Sequence, residues 1–275
     1  MDIVTKQNLK NKTTFKSLAD VSDLVNYDYF LICTETIKHF DQIKFLEQNV
    51  KDKLIFCEKP LFETKKNLEI KNNSLYIGYV LRFHPLLNRL KTLLDLEQVI
   101  SVNTYCGQYL PTWREDNDYR QSYSAKKSEG GGVLLDLSHE IDYLQWLFGK
   151  IQNIKSIQKK ISDLEIDTDD ITTLIGVSSQ NVVINMSIDY ISKKTYRKMI
   201  IYSINNTYEL DFIANHLKIW DKDGKEISYV EDVMYRNYMF ERMHVSILSD
   251  KKDVCSLAEG LNVMDTVYEI QEQNR

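Results

Sequence analysis

Three short apolar runs recur early in the chain, each of strand length: Asp28–Cys33, Leu54–Cys57 and Leu75–Tyr79. Between the first two, Ile37, Phe40, Ile43, Leu46 and Val50 recur at the spacing of one helical face. A second helix is expected over 61–70, and Ser17 reads as the N-cap of a short helix over 17–25. Strands joined through helices run parallel, because the crossover returns the chain to the same end of the sheet. This rhythm demands a parallel, doubly wound sheet.

From Pro85 the pattern changes. An amphipathic helix is expected over 85–96, a strand over 99–105, and an irregular aromatic and polar stretch over 108–129. Three glycines, Gly130 to Gly132, precede a helix expected over 134–148. Strand patterns then follow at 154–161, 171–177, 182–190, 198–203, 207–212 and 217–220, with Asp221 to Gly224 as a hairpin turn. Helices over 235–248 and 257–270 close the chain. Strands in series with helices apart from them predict an α+β unit with a large, mostly antiparallel open sheet.

With 275 residues, 43% hydrophobic and 27% charged, the chain has room for two ordinary domains at about 150 residues each. The boundary is placed at 83/84. The net charge of −5, with scattered lysines, argues against a nucleic-acid surface. No apolar run approaches the ~20 residues that span a bilayer, and the N-terminus lacks a signal-peptide pattern. Cys33, Cys57, Cys106 and Cys255 form no close pair and read as reduced thiols of a cytoplasmic protein. His39, His84, His139, His216 and His244 form no ligand pairs at helical spacing, so no metal is expected.

Two segments carry chemistry. The first is Phe56-Cys57-Glu58-Lys59-Pro60, at the end of the second apolar run. Proline disfavours the α region for the residue before it, which holds Lys59 at the strand mouth, where open α/β sheets bind ligands. In isolation the motif is an ordinary strand end. The second is Gly130 to Asp142. Asp136 and His139 stand three apart, so on one helix they share a face. A carboxylate beside an imidazole makes a proton acceptor or donor near neutral pH. Taken alone, they read as a helix-terminal acid and a partly buried, hydrogen-bonded histidine.

Together these segments resemble the Gfo/Idh/MocA family, named for glucose–fructose oxidoreductase and inositol dehydrogenase. The carrying residues are Phe30 to Thr34 with His39; Glu58-Lys59-Pro60; Gly78 to Phe83 with Pro85; Gly130 to Asp142; and Asp169-Asp170 before an apolar strand. The resemblance spans nearly the whole chain. It implies an incomplete Rossmann-like domain over 1–83 and a substrate-binding and dimerisation domain over 84–275. It also implies hydride transfer between a sugar-type carbon and NAD or NADP, with Lys59, Asp136 and His139 catalytic. Thr34, Glu35, His39, Glu58, Pro60 and Arg82 fall on the cofactor side. Lys59, Arg82, Asp136 and His139 are expected to line one cleft. Alcohol oxidation needs a base for the hydroxyl proton and a cation for the developing alkoxide.

Three departures from the family pattern stand out. No Gly-x-Gly-x-x-Gly opens the chain: its first glycine is Gly78. About 30 residues, one βαβ unit, are missing, and Ile3-Val4-Thr5 reads as the end of the second strand. Pyrophosphate rests on the amides of that turn, and losing its strand opens a gap in the sheet. This implies either a shortened form of a longer protein or a fold that has lost redox function. Glu35 replaces a usual proline. The Asp136–His139 spacing is one residue shorter than the commoner form.

The stretch from Tyr105 to Tyr123 brings Trp113, Arg114, Tyr119, Arg120 and Tyr123 together. Aromatics stack on sugar faces and arginines grip phosphates. These residues are read as contacts to a sugar or nucleotide sugar, as in surface polysaccharide assembly, or equally as a packed loop at the domain junction. The alternative to an enzyme is a non-catalytic sugar-binding or assembly protein of the same fold. The alternation of apolar and polar residues over 182–190 allows a homodimer or homotetramer through the C-terminal sheet.

Overall fold

Ile3–Val4 (β1) and Thr14–Phe15 (β2) form a small parallel pair of their own. The computed structural model describes residues 3–4, 14–114, 117–232 and 235–275, so Thr5 lies outside the described residues. The helix expected over 17–25 is instead two 3₁₀ turns, Leu18–Asp20 and Leu24–Asn26. Asp23 between them adopts φ 63°, a left-handed conformation that stops helix propagation.

The three apolar runs form the parallel sheet. Tyr29–Ile32 (β3) is followed by helix His39–Asn49 (α1), then Leu54–Cys57 (β4) and Ser74–Ile77 (β5). Tyr29 lies opposite Leu54, and Leu54 opposite Ser74, in parallel register. Residues 61–70 do not form the expected helix. Leu61 and Phe62 enter the core at once, but the polar run from Glu63 to Asn67 offers no apolar face to continue a helix. Side chains from elsewhere hold the segment and the residues just after it. Glu47 of α1 accepts from the amides of Lys71 and Asn72 at 2.8 and 2.7 Å, and Tyr268 donates to the Thr64 carbonyl at 2.6 Å.

Helix Pro85–Leu94 (α2) leads to strand Val99–Gly107 (β6). Short 3₁₀ turns fill most of the aromatic stretch that follows. The expected helix 134–148 is broken into Val133–Asp136 (α3) and His139–Phe148 (α4). Then come β7 (Ile151–Lys159), β8 (Ile171–Ser178), β9 (Val183–Asp189), β10 (Tyr196–Ser203), β11 (Asn206–Asp211), β12 (His216–Asp221) and β13 (Glu226–Val230). Helix Tyr238–Leu248 (α5), strand Cys255–Ser256 (β14) and helix Leu257–Gln273 (α6) complete the chain.

The large sheet has eight strands in the order β13-β12-β11-β10-β6-β9-β8-β7. All its neighbours are antiparallel except the parallel pair β6–β9. The expected fold class, a parallel sheet followed by a large, mostly antiparallel one, is therefore what the chain adopts. Strand alternation gives the large sheet two faces. Thr104, Cys106, Ile184, Met186, Ile188, Met199 and Ile201 point inward and are buried, whereas Ile157, Ile175, Val183 and Tyr202 lie exposed on the other side.

The chain end ties the two sheets together. β14 pairs antiparallel with β5, placing Cys255 opposite Ile77 and giving the small sheet the order β14-β5-β4-β3. Two residues are too few to show a strand pattern in sequence. α6 begins on a capping box between Ser256 and Glu259 and packs Gly260 against Ile77, where a Cβ would stand 2.5 Å from Ile77 Cγ1. Its far end reaches β7, where Gln273 donates to the Ile154 carbonyl at 2.9 Å. Among the described residues, nothing pairs with the outer edge of β3, and Leu31 there is 49% exposed.

Candidate active site

Lys59 leaves the end of β4 through a cis Lys59-Pro60 peptide. His39, at the start of α1, lies inside the turn: Nδ1 faces the carbonyls of Pro60 and Leu61 at 3.1 and 3.2 Å, and Nε2 faces the Thr34 carbonyl at 3.1 Å. His39 thus clamps the Lys59 turn to the end of β3 and is 1% exposed. From this turn the Lys59 ammonium donates to the Asp136 carbonyl at 2.6 Å, which joins the two sheets at the site.

The glycines position the opposing wall. A Cβ on Gly131 would stand 2.1 Å from the Tyr123 carbonyl oxygen, so only glycine lets these backbones meet. Gly132, at φ 117°, lies against Asp169. The Asp169 carboxylate accepts from the Leu134 amide at 2.9 Å, satisfying an orphan donor at the start of α3. Asp136 is buried. It accepts from the Tyr190 hydroxyl at 2.5 Å, while its Oδ1 is enclosed without a partner. Tyr123 stands beside the same carboxylate, and burial, then Asp136, holds its hydroxyl in the protonated form.

His139 starts α4 after the break at Leu137 and Ser138, so the shared-face geometry expected of a continuous helix does not apply. Nor does the Asp136 carboxylate bind the imidazole: His139 Nδ1 is buried with no hydrogen-bond partner, and the ring meets Tyr79 edge-on at 5.6 Å. Burial first, then the charges of Lys59 and Arg197, pushes His139 well below the usual histidine range. At neutral pH it is an uncharged proton acceptor. Burial also lowers Lys59, opposed by Asp136 and Glu58. The site therefore sets a cation beside a neutral base, which suits an alcohol that must lose a proton while its oxygen carries developing charge.

The other expected site residues separate into two groups. Trp113 meets Tyr190 edge-on at 5.4 Å, and Arg114 lies over the Tyr123 ring at 5.6 Å, so both stand one residue from the Asp136 carboxylate. Thr34 donates to Gln42 at 2.7 Å, Glu35 pairs with Lys38, and Glu58 is half-buried with its carboxyl raised, mainly by burial. These three remain at the C-terminal ends of β3 and β4. Arg82 does not reach the cleft. Its guanidinium is 1% exposed and binds Asp142 through three contacts of 2.7–3.2 Å and Glu259 at 2.7 Å. It fastens the segment after β5 to α4 and α6. Arg120 faces outward to Asp118 and Glu165, and the Tyr119 hydroxyl accepts from the Glu165 amide, so neither joins Lys59 and His139.

Sequence reasoning missed Tyr190, Tyr79, Glu140 and Arg197. Tyr190 looked like the end of an alternating strand. Arg197 did leave a signal: it shares strand parity with the inward Met199 and Ile201. Among the described residues no group of three or more His, Cys, Asp or Glu could hold a metal ion, and no helix is long and apolar enough to cross a membrane.

Residues 89–210 match the model of the GFO/IDH/MocA C-terminal domain. The family recognised in the sequence motifs is the one whose domain model matches these residues, and several solved structures share the fold of the whole chain. UDP-N-acetylglucosamine 3-dehydrogenase from Acidithiobacillus ferrooxidans superimposes with a TM-score of 0.73 at 17% identity, covering 96% of this chain and 83% of its own. Levoglucosan dehydrogenase, in complex with NADH and levoglucosan, gives 0.80 at 16% identity, covering 95% and 82%. A super-repressor mutant of Gal80p from Saccharomyces cerevisiae gives 0.77 at 16% identity, covering 96% and 82%. No curated protein sequence matches.

Proposed function

We propose that this chain is an NAD(P)-dependent oxidoreductase acting on a hydroxyl or carbonyl of a sugar or nucleotide sugar, with surface polysaccharide biosynthesis as one setting. The observation that carries this reading is the meeting of Lys59 with the α3–α4 segment: an ammonium from the end of β4 and an uncharged imidazole from the start of α4 are brought to one buried place. In alcohol oxidation His139 takes the hydroxyl proton, Lys59 stabilises the oxygen as charge develops on it, and Asp136 with Tyr190 and Tyr123 orients the neighbouring hydroxyls. Bound nicotinamide supplies the hydride acceptor or donor. The residues present fit that end of the cofactor. They fit the pyrophosphate less well: the Glu35 carboxylate, paired with Lys38, stands near the end of β3.

That deficit favours a second reading, a sugar-binding or assembly protein that keeps the pocket without the redox chemistry. A neighbour named as a repressor is consistent with it. In both readings the protein is a cytoplasmic homodimer or homotetramer, joined through the exposed face bearing Ile157, Ile175 and Val183. The test is fluorescence titration of the whole chain with NADH and NADPH, then nicotinamide turnover with UDP-N-acetylglucosamine and levoglucosan. Dinucleotide binding with turnover supports the enzyme. Sugar binding without dinucleotide binding supports the second reading, and binding of neither overturns both.

A further inference from the structure

Tyr79 touches His139, yet the catalytic scheme gives it no part. It follows β5, is 1% exposed, and its hydroxyl is enclosed without a hydrogen-bond partner. Its ring meets the His139 imidazole at 5.6 Å between centroids and 84° between planes. The backbone fixes where this ring begins. The Tyr79 amide donates to the Ile77 carbonyl at 2.8 Å and the Val80 amide to the Gly78 carbonyl at 3.0 Å, two successive three-residue turns. A Cβ on Gly78 would stand 2.9 Å from Phe56 Cζ, so glycine lets the first turn lie against β4. Three residues after Tyr79, Arg82 binds Asp142 at 2.7 Å. Asp142 in turn stands three residues after His139 on α4, on the same helical face. The 79–82 segment is therefore docked along one face of α4, with Arg82 on Asp142 and Tyr79 on His139.

We infer that Tyr79 is a positioning residue: its ring keeps the proton of the neutral His139 on Nδ1 and so leaves Nε2 as the base. This deepens the proposed function and rests on it. Of the two ring nitrogens, Nδ1 is enclosed with no hydrogen-bond partner, and Nε2 does not share that enclosure. Nε2 is thus the nitrogen that a substrate hydroxyl reaches. A neutral imidazole accepts at one nitrogen only if its own proton sits on the other. No oxygen or nitrogen holds that proton at Nδ1, and the aromatic ring set against the imidazole is that of Tyr79. A perpendicular pair sets the edge of one ring against the electron-rich face of the other, and an N–H group directed at such a face gains a weak bond. Water would offer both nitrogens the same partners. The packed ring excludes it from Nδ1 and makes the two sides unequal.

The test is nitrogen NMR of the whole protein labelled at its histidines, at neutral pH and with no ligand added. The shift of each ring nitrogen shows whether it carries a proton, and His139→Asn identifies the His139 signals by their loss. The wild type is expected to hold His139 neutral and protonated at Nδ1. Tyr79→Phe keeps the ring and removes only an unpartnered hydroxyl, so it should keep that pattern without losing stability. Tyr79→Leu removes the aromatic face and should shift the ratio of the two protonated forms toward Nε2 by about 2- to 5-fold, the worth of one weak bond. A merely structural contact would move the thermal midpoint and leave that ratio alone. If Tyr79→Leu fails to fold, Tyr79→Met, which fills irregular space, is measured in its place. A wild type protonated at Nε2, or a ratio that the ring-deleting variant leaves unchanged, overturns this inference while the proposed function stands. Absence of nicotinamide turnover by the wild type is read in a separate assay and removes the proposed function, and the role of Tyr79 with it.

Discussion

Arg82 offers the sharpest test of how the two halves are held together. Its guanidinium and the Asp142 carboxylate are both essentially inaccessible, with side-chain exposures of 2% and 1%. Burial works against the arginine's charge, yet Asp142, Cys255 and Glu259 hold it charged. Asp142→Asn leaves a buried cation facing a neutral amide, with only the partly exposed Glu259 as an anion. Removing one partner of such a pair costs about 3–5 kcal/mol. Arg82→Met strands the Asp142 carboxylate and should cost about the same. The double variant Arg82→Met, Asp142→Leu buries no charge. Glu259 keeps its bonds to Ser256 at 2.7 and 2.9 Å and turns to solvent, so the double loss should fall far short of the two singles together. Urea unfolding at neutral pH, followed by far-UV circular dichroism, measures all four proteins. Against a usual total of about 5–15 kcal/mol, each single change should move the midpoint plainly. Single losses under about 1 kcal/mol, or additivity of the two within ~0.5 kcal/mol, would show that the pair is not the staple the distances imply.

Three further outcomes follow from the site. Lys59→Met should remove turnover by at least 100-fold while the thermal midpoint stays within a few degrees, because the ammonium stabilises a developing charge rather than the core; activity near the wild-type rate makes the lysine structural. The pH profile of oxidation should keep its acid limb below the ordinary histidine value of about 6.5. The His139 proton affinity is lowered, so the imidazole stays basic as pH falls through 6.5 and is protonated only further down. An acid limb above 6.5, or one unmoved by His139→Asn, excludes it as the base. Gly131→Ala should cost about 1–3 kcal/mol, since its methyl would strike the Tyr123 and Ser124 carbonyls at 2.1 and 2.7 Å, and thermal unfolding reads the loss directly; a neutral substitution means the Tyr123 loop is not held against the glycines.

Sequence periodicity found the elements whose burial is regular. β3, β4 and β5 follow the apolar runs, and α1 buries Ile43 and Leu46 of the face read from the pattern, whereas Ile37 before it is exposed. It failed where distant side chains decide the local structure. Residues 61–70 carry helix formers, yet Glu47 and Tyr268 hold the backbone in and just after them by hydrogen bonds from other elements. The break between Asp136 and His139 was hidden because Leu137 and Ser138 are compatible with a helix. It takes up the short spacing noted in the sequence by giving the two residues separate elements. Arg82 was misplaced because an arginine at the end of an apolar strand resembles a ligand contact, and its partners, Asp142 and Glu259, lie 60 and 177 residues away. Lys59 was legible because proline and the strand end fix it locally.

The two halves of the site differ in how firmly the chain builds them. On the proposed sugar side Lys59 and Asp136 are over-determined. Lys59 is fixed by the His39 clamp and the Asp136 carbonyl, Asp136 by Tyr190, and the segment carrying it by glycines that tolerate no Cβ. On the proposed dinucleotide side the described residues leave the edge of β3 without a neighbour, and Leu31 on that strand is exposed. Sugar affinity and dinucleotide affinity should therefore be separable in this chain. Perturbing His39 disturbs the Lys59 turn and should weaken both, whereas a charge placed at Leu31 touches only the open edge. If Leu31→Lys lowers sugar affinity as much as His39→Ala does, the sugar half depends on that edge and the division fails.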